Sequence, residues 1–211
     1  MTQIFTNARL ILPIEEQPKA GSLIIDGDRI VSAAEASNAV HGEEIDCKGR
    51  LLAPGIVDLG VFAIDKPAFR FGGITRAALM PDQSPVLDLP AMIKQSAAEG
   101  KPDLWSHPIA AATIGLEGKR MAEIGLMKRS GAKAVATGRH WIADSGIMLR
   151  LLQYCKSLGL TLIVHSEDAG LTQGAVATNS ETATRLGLSS ATAAAEAIAI
   201  ARDIALVRET G

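Results

Sequence analysis

The order of hydrophobic and polar positions changes character at Pro54-Gly55. Before that point the apolar residues come in short runs separated by turn formers. Ile4 to Ile11 is a β-prone run. Leu23-Ile24-Ile25 and Arg29-Ile30-Val31 flank Asp26-Gly27-Asp28, a hairpin signature, because Asp-Gly readily supplies the positive φ of a tight turn. Ile45-Asp46-Cys47 and Leu51-Leu52-Ala53 predict two more short strands, and no 3.6-residue period runs through the region. Residues 1–53 are therefore predicted to form a small all-β unit.

After Pro54-Gly55, apolar runs alternate with helical stretches. The runs are Ile56–Leu59, Ile74–Met80, His107–Ile114, Ala132–Ala136 and Leu160–Val164; the helical stretches are Leu89–Glu99, Lys119–Arg129, Ser145–Ser157 and Ala191–Glu209. Within the third stretch Ile147, Met148, Leu151, Leu152 and Leu158 keep a helical period. Asp144 or Ser145 suits its start and Gly159 its stop. Near-continuous apolar strands alternating with helices predict a parallel sheet with helices outside it. An open doubly wound sheet and a (β/α)8 barrel both fit that alternation. A whole barrel takes about 250 residues, so residues 54–211 accommodate an incomplete one of about five strands. The closing Arg208-Glu209-Thr210-Gly211 reads as a helix stop that hands on to another element, which predicts a longer polypeptide.

Composition narrows the function classes. Hydrophobic residues are 47% and charged residues 21% of the 211, which excludes disordered, collagenous and coiled-coil chains. Lys and Arg number 21 against 23 Asp and Glu, a net charge of −2, so no basic nucleic-acid footprint exists. No apolar run reaches the roughly 18 residues of a membrane span, and the opening MTQIFTNARLILPIEE, with no basic segment followed by a long apolar stretch, leads to the expectation of no secretory signal. Two cysteines, Cys47 and Cys155, make neither a disulfide framework nor a zinc cluster, and a cytoplasmic, reducing setting is expected. Aromatics are only 3% while Ala is abundant, a composition that suits helices packed closely on a sheet. Several residues read as structural. Cys155, Met121, Met127 and Met148 read as packing residues, Glu167-Asp168 as a helix start, and Gly72-Gly73 as a helix-to-strand turn rather than a phosphate loop. Trp105 and Trp141 either line a mouth or pack; His41 and His107 read as surface or helix-neighbour residues.

A run of motifs carries a family resemblance. Leu52-Ala-Pro-Gly-Ile-Val-Asp58, Gly72-Gly-Ile-Thr75 leading to Met80-Pro-Asp82, Gly115 to Ile124, Asp144 to Met148 leading to Val164-His-Ser-Glu-Asp168, and Thr184 to Leu188 with Glu196 to Arg202 occur in order. Together they resemble the N-terminal portion of the dihydroorotase branch of the amidohydrolase superfamily. The resemblance implies a partial TIM barrel preceded by part of a small β-sandwich, and a place in pyrimidine biosynthesis. It also implies metal-dependent hydrolysis of a cyclic amide, with ligands at the C-terminal ends of barrel strands.

The residues that should carry that chemistry are largely replaced. The first strand of the family ends His-x-His; here it ends Asp58-Leu59-Gly60. An arginine that binds substrate follows in the family; here Val61-Phe62-Ala63 follows, and Arg70 lies nearby without a secure alignment to that arginine. Met-Pro-Asn becomes Met80-Pro81-Asp82, so a carboxylate stands where an amide would receive the anionic substrate. The fourth strand's bridging acid or carboxylated lysine has no counterpart in Ala136-Thr137-Gly138-Arg139-His140. His165 alone matches a family ligand. It reads as a relic at a strand end, or as one member of a rearranged mononuclear site with Asp58 and His140, with Glu167 or Asp168 in support. The resemblance thus implies one of two readings. The chain is a degenerate dihydroorotase-like protein without a cofactor, a structural partner of aspartate transcarbamoylase in a homo- or hetero-oligomer. Alternatively it is an active zinc-dependent cyclic amidohydrolase with a changed substrate, for which Asp82 would be a binding residue.

Overall fold

The computed structural model describes residues 2–11, 17–32 and 42–211. Two compact units divide the chain, Met1–Gly55 and Ile56–Gly211. The first is a mixed five-stranded sheet. Its strands are β1 (Thr2–Leu10), β2 (Lys19–Asp26), β3 (Arg29–Val31), β4 (Glu43–Asp46) and β5 (Leu51–Leu52). They lie in the order β3-β2-β1-β4, with β5 also on β1. β2 and β3 pair antiparallel with Asp26 opposite Arg29, and Gly27 turns the hairpin at φ 63°. His41 lies outside the described residues.

In the second unit β6 (Ile56–Val61), β7 (Ile74–Leu79), β8 (Trp105–Ala111), β9 (Ala134–Ala136) and β10 (Leu162–Ile163) form one sheet in sequential order. Every neighbouring pair is parallel. Sequential parallel strands with a crossover between each are the opening of a (β/α)8 barrel, here incomplete at five strands. The helices are α1 (Lys66–Gly72), α2 (Pro90–Ala98), α3 (Ile124–Arg129), α4 (Ser145–Leu158), α5 (Ala169–Thr172), α6 (Glu181–Arg185) and α7 (Ala194–Thr210). A two-stranded parallel ribbon, β11 (Ala177–Thr178) with β12 (Ser190–Ala191), sits between them.

Strand alternation sorts the core into two faces. Ala77, Leu79, Ala110 and Val135 join Ile93, Ile124, Met127, Met148, Leu151 and Cys155 of the helices in one buried cluster. Ile109, Ala134 and Ala136, with Ala78, Met80 and Ile163 against them, make a second cluster. Small alanines on the strands let the helices approach closely.

Element boundaries move where backbone bonds override the periodicity. The helix expected over Lys119–Arg129 starts only at Ile124, because Met121 bridges Thr113 in antiparallel fashion and Ile114 N–H donates to the Arg120 carbonyl. The strand expected over His107–Ile114 runs instead from Trp105 to Ala111. After it, Gly115 and Gly118 at φ 60° and 71° bend the chain through a short 3-10 turn at Ile114–Leu116. No helix among the described residues is long and apolar enough to cross a membrane.

Candidate active site at the strand ends

In a barrel-type sheet the chemistry-bearing loops follow the C-terminal ends of the strands. Four such ends carry the residues singled out in the sequence. On β6, Asp58 is half-buried and its Oδ1 accepts the N–H of Gly60 at 3.0 Å. The carboxylate is thus turned onto its own strand. Gly60 offers no side chain, and the position its Cβ would take is open.

The β7 end is closed by Asp82. Its side chain is 7% exposed. Oδ1 accepts the backbone N–H of Arg139 at 2.9 Å and lies 3.6 Å from Arg139 Nε, while Oδ2 is buried with no hydrogen-bond partner. The Arg139 guanidinium stacks 4.9 Å from the Phe62 ring centroid. Gln83 Nε2 donates to the carbonyls of Met80, 2.9 Å away, and Phe62, 3.1 Å away. The segments following β6, β7 and β9 are therefore bound to one another through Phe62, Gln83, Asp82 and Arg139. Sequence reasoning flagged Asp82 and Phe62 of this group as replacements, but not their connection through Gln83 and Arg139. The signal available for Gln83 and Arg139 was their position immediately past a strand end.

At the β9 end Thr137 is buried, and its hydroxyl accepts the His165 N–H at 3.0 Å. Gly138 takes φ 69°, and a Cβ there would meet Leu116 Cδ1 at 2.7 Å and Asp82 Oδ1 at 2.9 Å. A side chain at that position would displace the ends of the Leu116 and Asp82 side chains. His140 is exposed two residues further on. At the β10 end the His165 side chain is 40% exposed, with Nε2 3.4 Å from a Glu167 carboxylate oxygen. His165 and Glu167 line a cleft of about 430 Å3 with Val164, Ser166, Glu196 and Ile200. Asp168 caps α5 by accepting the Gly170 N–H at 2.8 Å.

Among the described residues no group of three or more His, Cys, Asp and Glu side chains is arranged to hold a metal ion. Asp58, His140 and His165 are not brought together into one; His165 meets Glu167 instead. The donor set present does not fit a hydroxide-bridged metal pair, which needs a bridging ligand and further ligands on both sides. Arg70 lies on α1, four residues before β7 begins, so it belongs to the other end of the sheet from Asp82. The Arg202 guanidinium packs over Trp141, 4.5 Å from the ring centroid. Trp105 lies at the first residue of β8, at the N-terminal strand ends.

A family model described as dihydro-orotase-like matches residues 49–211. A dihydroorotase of Pelotomaculum thermopropionicum is 37% identical over 202 residues, covering 89% of this chain and 47% of that protein. A dihydroorotase-like protein of Pseudomonas aeruginosa is 32% identical over 228 residues, covering 100% of this chain and 53% of that protein. The chain thus spans about half the length of the curated relatives it matches. Among solved structures, an L-hydantoinase (dihydropyrimidinase) from Arthrobacter aurescens superposes with a TM-score of 0.77 at 19% identity, over 99% of this chain and 51% of its own. A dihydropyrimidinase from Brevibacillus agri gives a TM-score of 0.69 at 19% identity, over 100% of this chain and 50% of its own. These two establish the fold alone. The family model and the two relatives, together with the parallel strand order, place this chain in the dihydroorotase-like family of the amidohydrolase superfamily.

Proposed function

We propose that this chain is a catalytically degenerate dihydroorotase-like protein of pyrimidine biosynthesis that serves as a structural partner of aspartate transcarbamoylase. The observation that carries the reading is the self-occupied state of the β7 and β9 ends. Asp82 is buried against the Arg139 backbone, and a side chain at Gly138 would require the Leu116 and Asp82 side chains to shift. Dihydroorotate is an anion. A carboxylate buried on Arg139 in place of an amide donor removes a charge-assisted pairing for that anion. The β6 end supports the same conclusion, since Asp58 bonds to Gly60 N–H and Gly60 cannot ligate. The scaffold motifs are kept while the chemistry is lost, and this is the pattern a retained binding role permits.

The second reading, an active cyclic amidohydrolase with a rearranged zinc site, is favoured by one observation. His165 and Glu167, 3.4 Å apart, line a solvent-open cleft at the β10 end, with no third donor among the described residues completing a metal-holding group. One experiment separates the two readings: elemental analysis and dihydroorotate turnover of full-length protein expressed with zinc, beside co-purification with aspartate transcarbamoylase. The proposal expects no stoichiometric zinc, no turnover and a stable complex. Stoichiometric zinc, one equivalent or two, with turnover abolished by His165→Ala would overturn it.

A further inference from the structure

Residues 138–143 carry the chain from β9 to α4 across the strand ends, and no hydrogen bond between main-chain groups involves them among the described residues. Side chains from other elements hold the segment instead. Near its start the Arg139 N–H donates to Asp82 Oδ1 at 2.9 Å, and the Arg139 guanidinium lies 4.9 Å from the Phe62 ring centroid. Near its end the Ile142 carbonyl accepts from Arg202 Nη1 at 2.6 Å. The same guanidinium covers Trp141 at 4.5 Å and is braced by Asp203 Oδ1 at 2.7 and 3.0 Å. Gly138, at φ 69°, and Asp144, the N-cap of α4, bound the segment.

A segment fastened only by side chains can leave its place without breaking a sheet ladder or a helix, so its opening is a local event. Each fastening also leaves buried polar atoms unpaired. Asp82 Oδ2 is one at the first point, and Trp141 Nε1 and Asp203 Oδ2 are two at the second. The Asp82 side chain is only 7% exposed, and Asp203 as a residue 8%. Orphaned buried atoms cost free energy that hydration would return. The charge-assisted bonds and the two cation–π stacks act in the other direction. Opposed terms of this kind give an element two states of comparable free energy.

We propose that residues 138–143 form a strap, fastened at Asp82 and Arg202, that closes the strand-end mouth and opens as one unit. Thr137, directly before the strap, holds the His165 N–H, and α7, which supplies Arg202, lines the His165 cleft through Glu196 and Ile200. The strap thus joins the Asp82 loop to the helix beside His165, and its release separates the two. The inference stands apart from the structural-partner reading and holds with or without a transcarbamoylase complex.

The test asks whether the two fastenings sense one another. The full chain has two tryptophans, so Trp105→Phe leaves Trp141 as the sole fluorophore for acrylamide quenching. Amide exchange resolved by NMR follows Arg139 in the strap and Val135 on β9. Asp82→Ala and Arg202→Met are compared with Gly159→Ala, which destabilises the far end of α4 without touching the strap. Thermal melts confirm that each variant folds, and Asp82→Asn replaces Asp82→Ala if the latter does not. In the wild type the Arg139 amide should exchange faster than that of Val135. Arg202→Met should speed Arg139 exchange by about tenfold or more, and Asp82→Ala should raise Trp141 quenching about twofold or more. Gly159→Ala should change neither, and Val135 should stay protected throughout. If Arg139 exchange ignores Arg202→Met and Trp141 quenching ignores Asp82→Ala, the contacts are independent and the strap is overturned. Equal acceleration in Gly159→Ala, or Arg139 and Val135 exchanging at one rate in the wild type, means global unfolding and overturns it as well.

Discussion

Gly138 and Gly159 isolate what a close contact costs beyond backbone conformation. Both take positive φ, 69° and 61°, but a Cβ at Gly159 meets nothing within 4 Å, while one at Gly138 meets Leu116 and Asp82 below 3.0 Å. Gly159→Ala is expected to cost about 1 kcal/mol from backbone strain alone. Gly138→Ala should cost about 2–3 kcal/mol once the clash is added. Urea unfolding of the two variants checks the order. Cys155 is buried on α4, and burial pushes its thiol up to about 11. The thiolate is the reactive form, so a thiol reagent at mildly alkaline pH should label the partly exposed Cys47 quickly and Cys155 only on unfolding. For His107 the folded pKa lies below the unfolded 6.5, so the unfolded chain binds more protons as pH falls past that value. Stability is then complete above 6.5 and declines as pH drops through the window between the two pKa values. Denaturant midpoints measured on either side of pH 6.5 should fall toward acid in the wild type and show a smaller fall in His107→Gln.

At the scale of elements, α4 and α7 use different means of packing. α4 is an amphipathic helix that buries Ile147, Met148, Leu151 and Cys155, with Asp144 Oδ1 accepting the Ile147 N–H at its start. Leu151→Ala should cost about 3 kcal/mol through transfer and cavity terms. Asp144→Ala should cost about 1 kcal/mol through the lost cap. Chemical denaturation of both variants tests that ranking, and a reversed order would mean that the cap outweighs the packed face. α7 buries Ala195, Ala199 and Asp203, while Ile198, Ile200, Ile204 and Val207 stay substantially exposed. It is tied down by Arg202, which donates to the Ile142 carbonyl at 2.6 Å and to Asp203 Oδ1 through Nε and Nη2. The small alanine face allows close approach, and the arginine supplies a specific anchor.

For the whole molecule, the five-stranded parallel sheet has β6 and β10 as its outermost strands. An outer strand presents backbone groups that template further pairing. Exposed Leu59, at 76%, and exposed isoleucines on α7 add apolar surface. The isolated 211-residue chain is therefore expected to associate, giving sedimentation velocity species heavier than its 22.1 kDa. A single sharp boundary at the monomer mass would contradict this.

The strand–helix alternation after Pro54 determined the parallel sheet and the position of nearly every strand, because each strand or helix is a local consequence of apolar periodicity. The caps Asp144, Gly159 and Asp168 were legible for the same reason: a cap is a bond to a backbone group two to four residues away. The short pieces α5, α6, β11 and β12 were not legible, since two to five residues carry no period. The shortened α3 and the bent chain after β8 depended on the Thr113–Met121 bridge, a contact that periodicity does not encode. The site divides in the same way. Sequence reading found the altered residues Asp58, Gly60, Asp82 and Gly138 one by one. Only the tertiary structure decided that Asp82 is spent on Arg139, 57 positions away, that Thr137 holds His165 by its N–H, and that His165 meets Glu167 rather than Asp58 or His140. Strand order brings these distant loops together, and side-chain partnership follows distance in space rather than spacing along the chain.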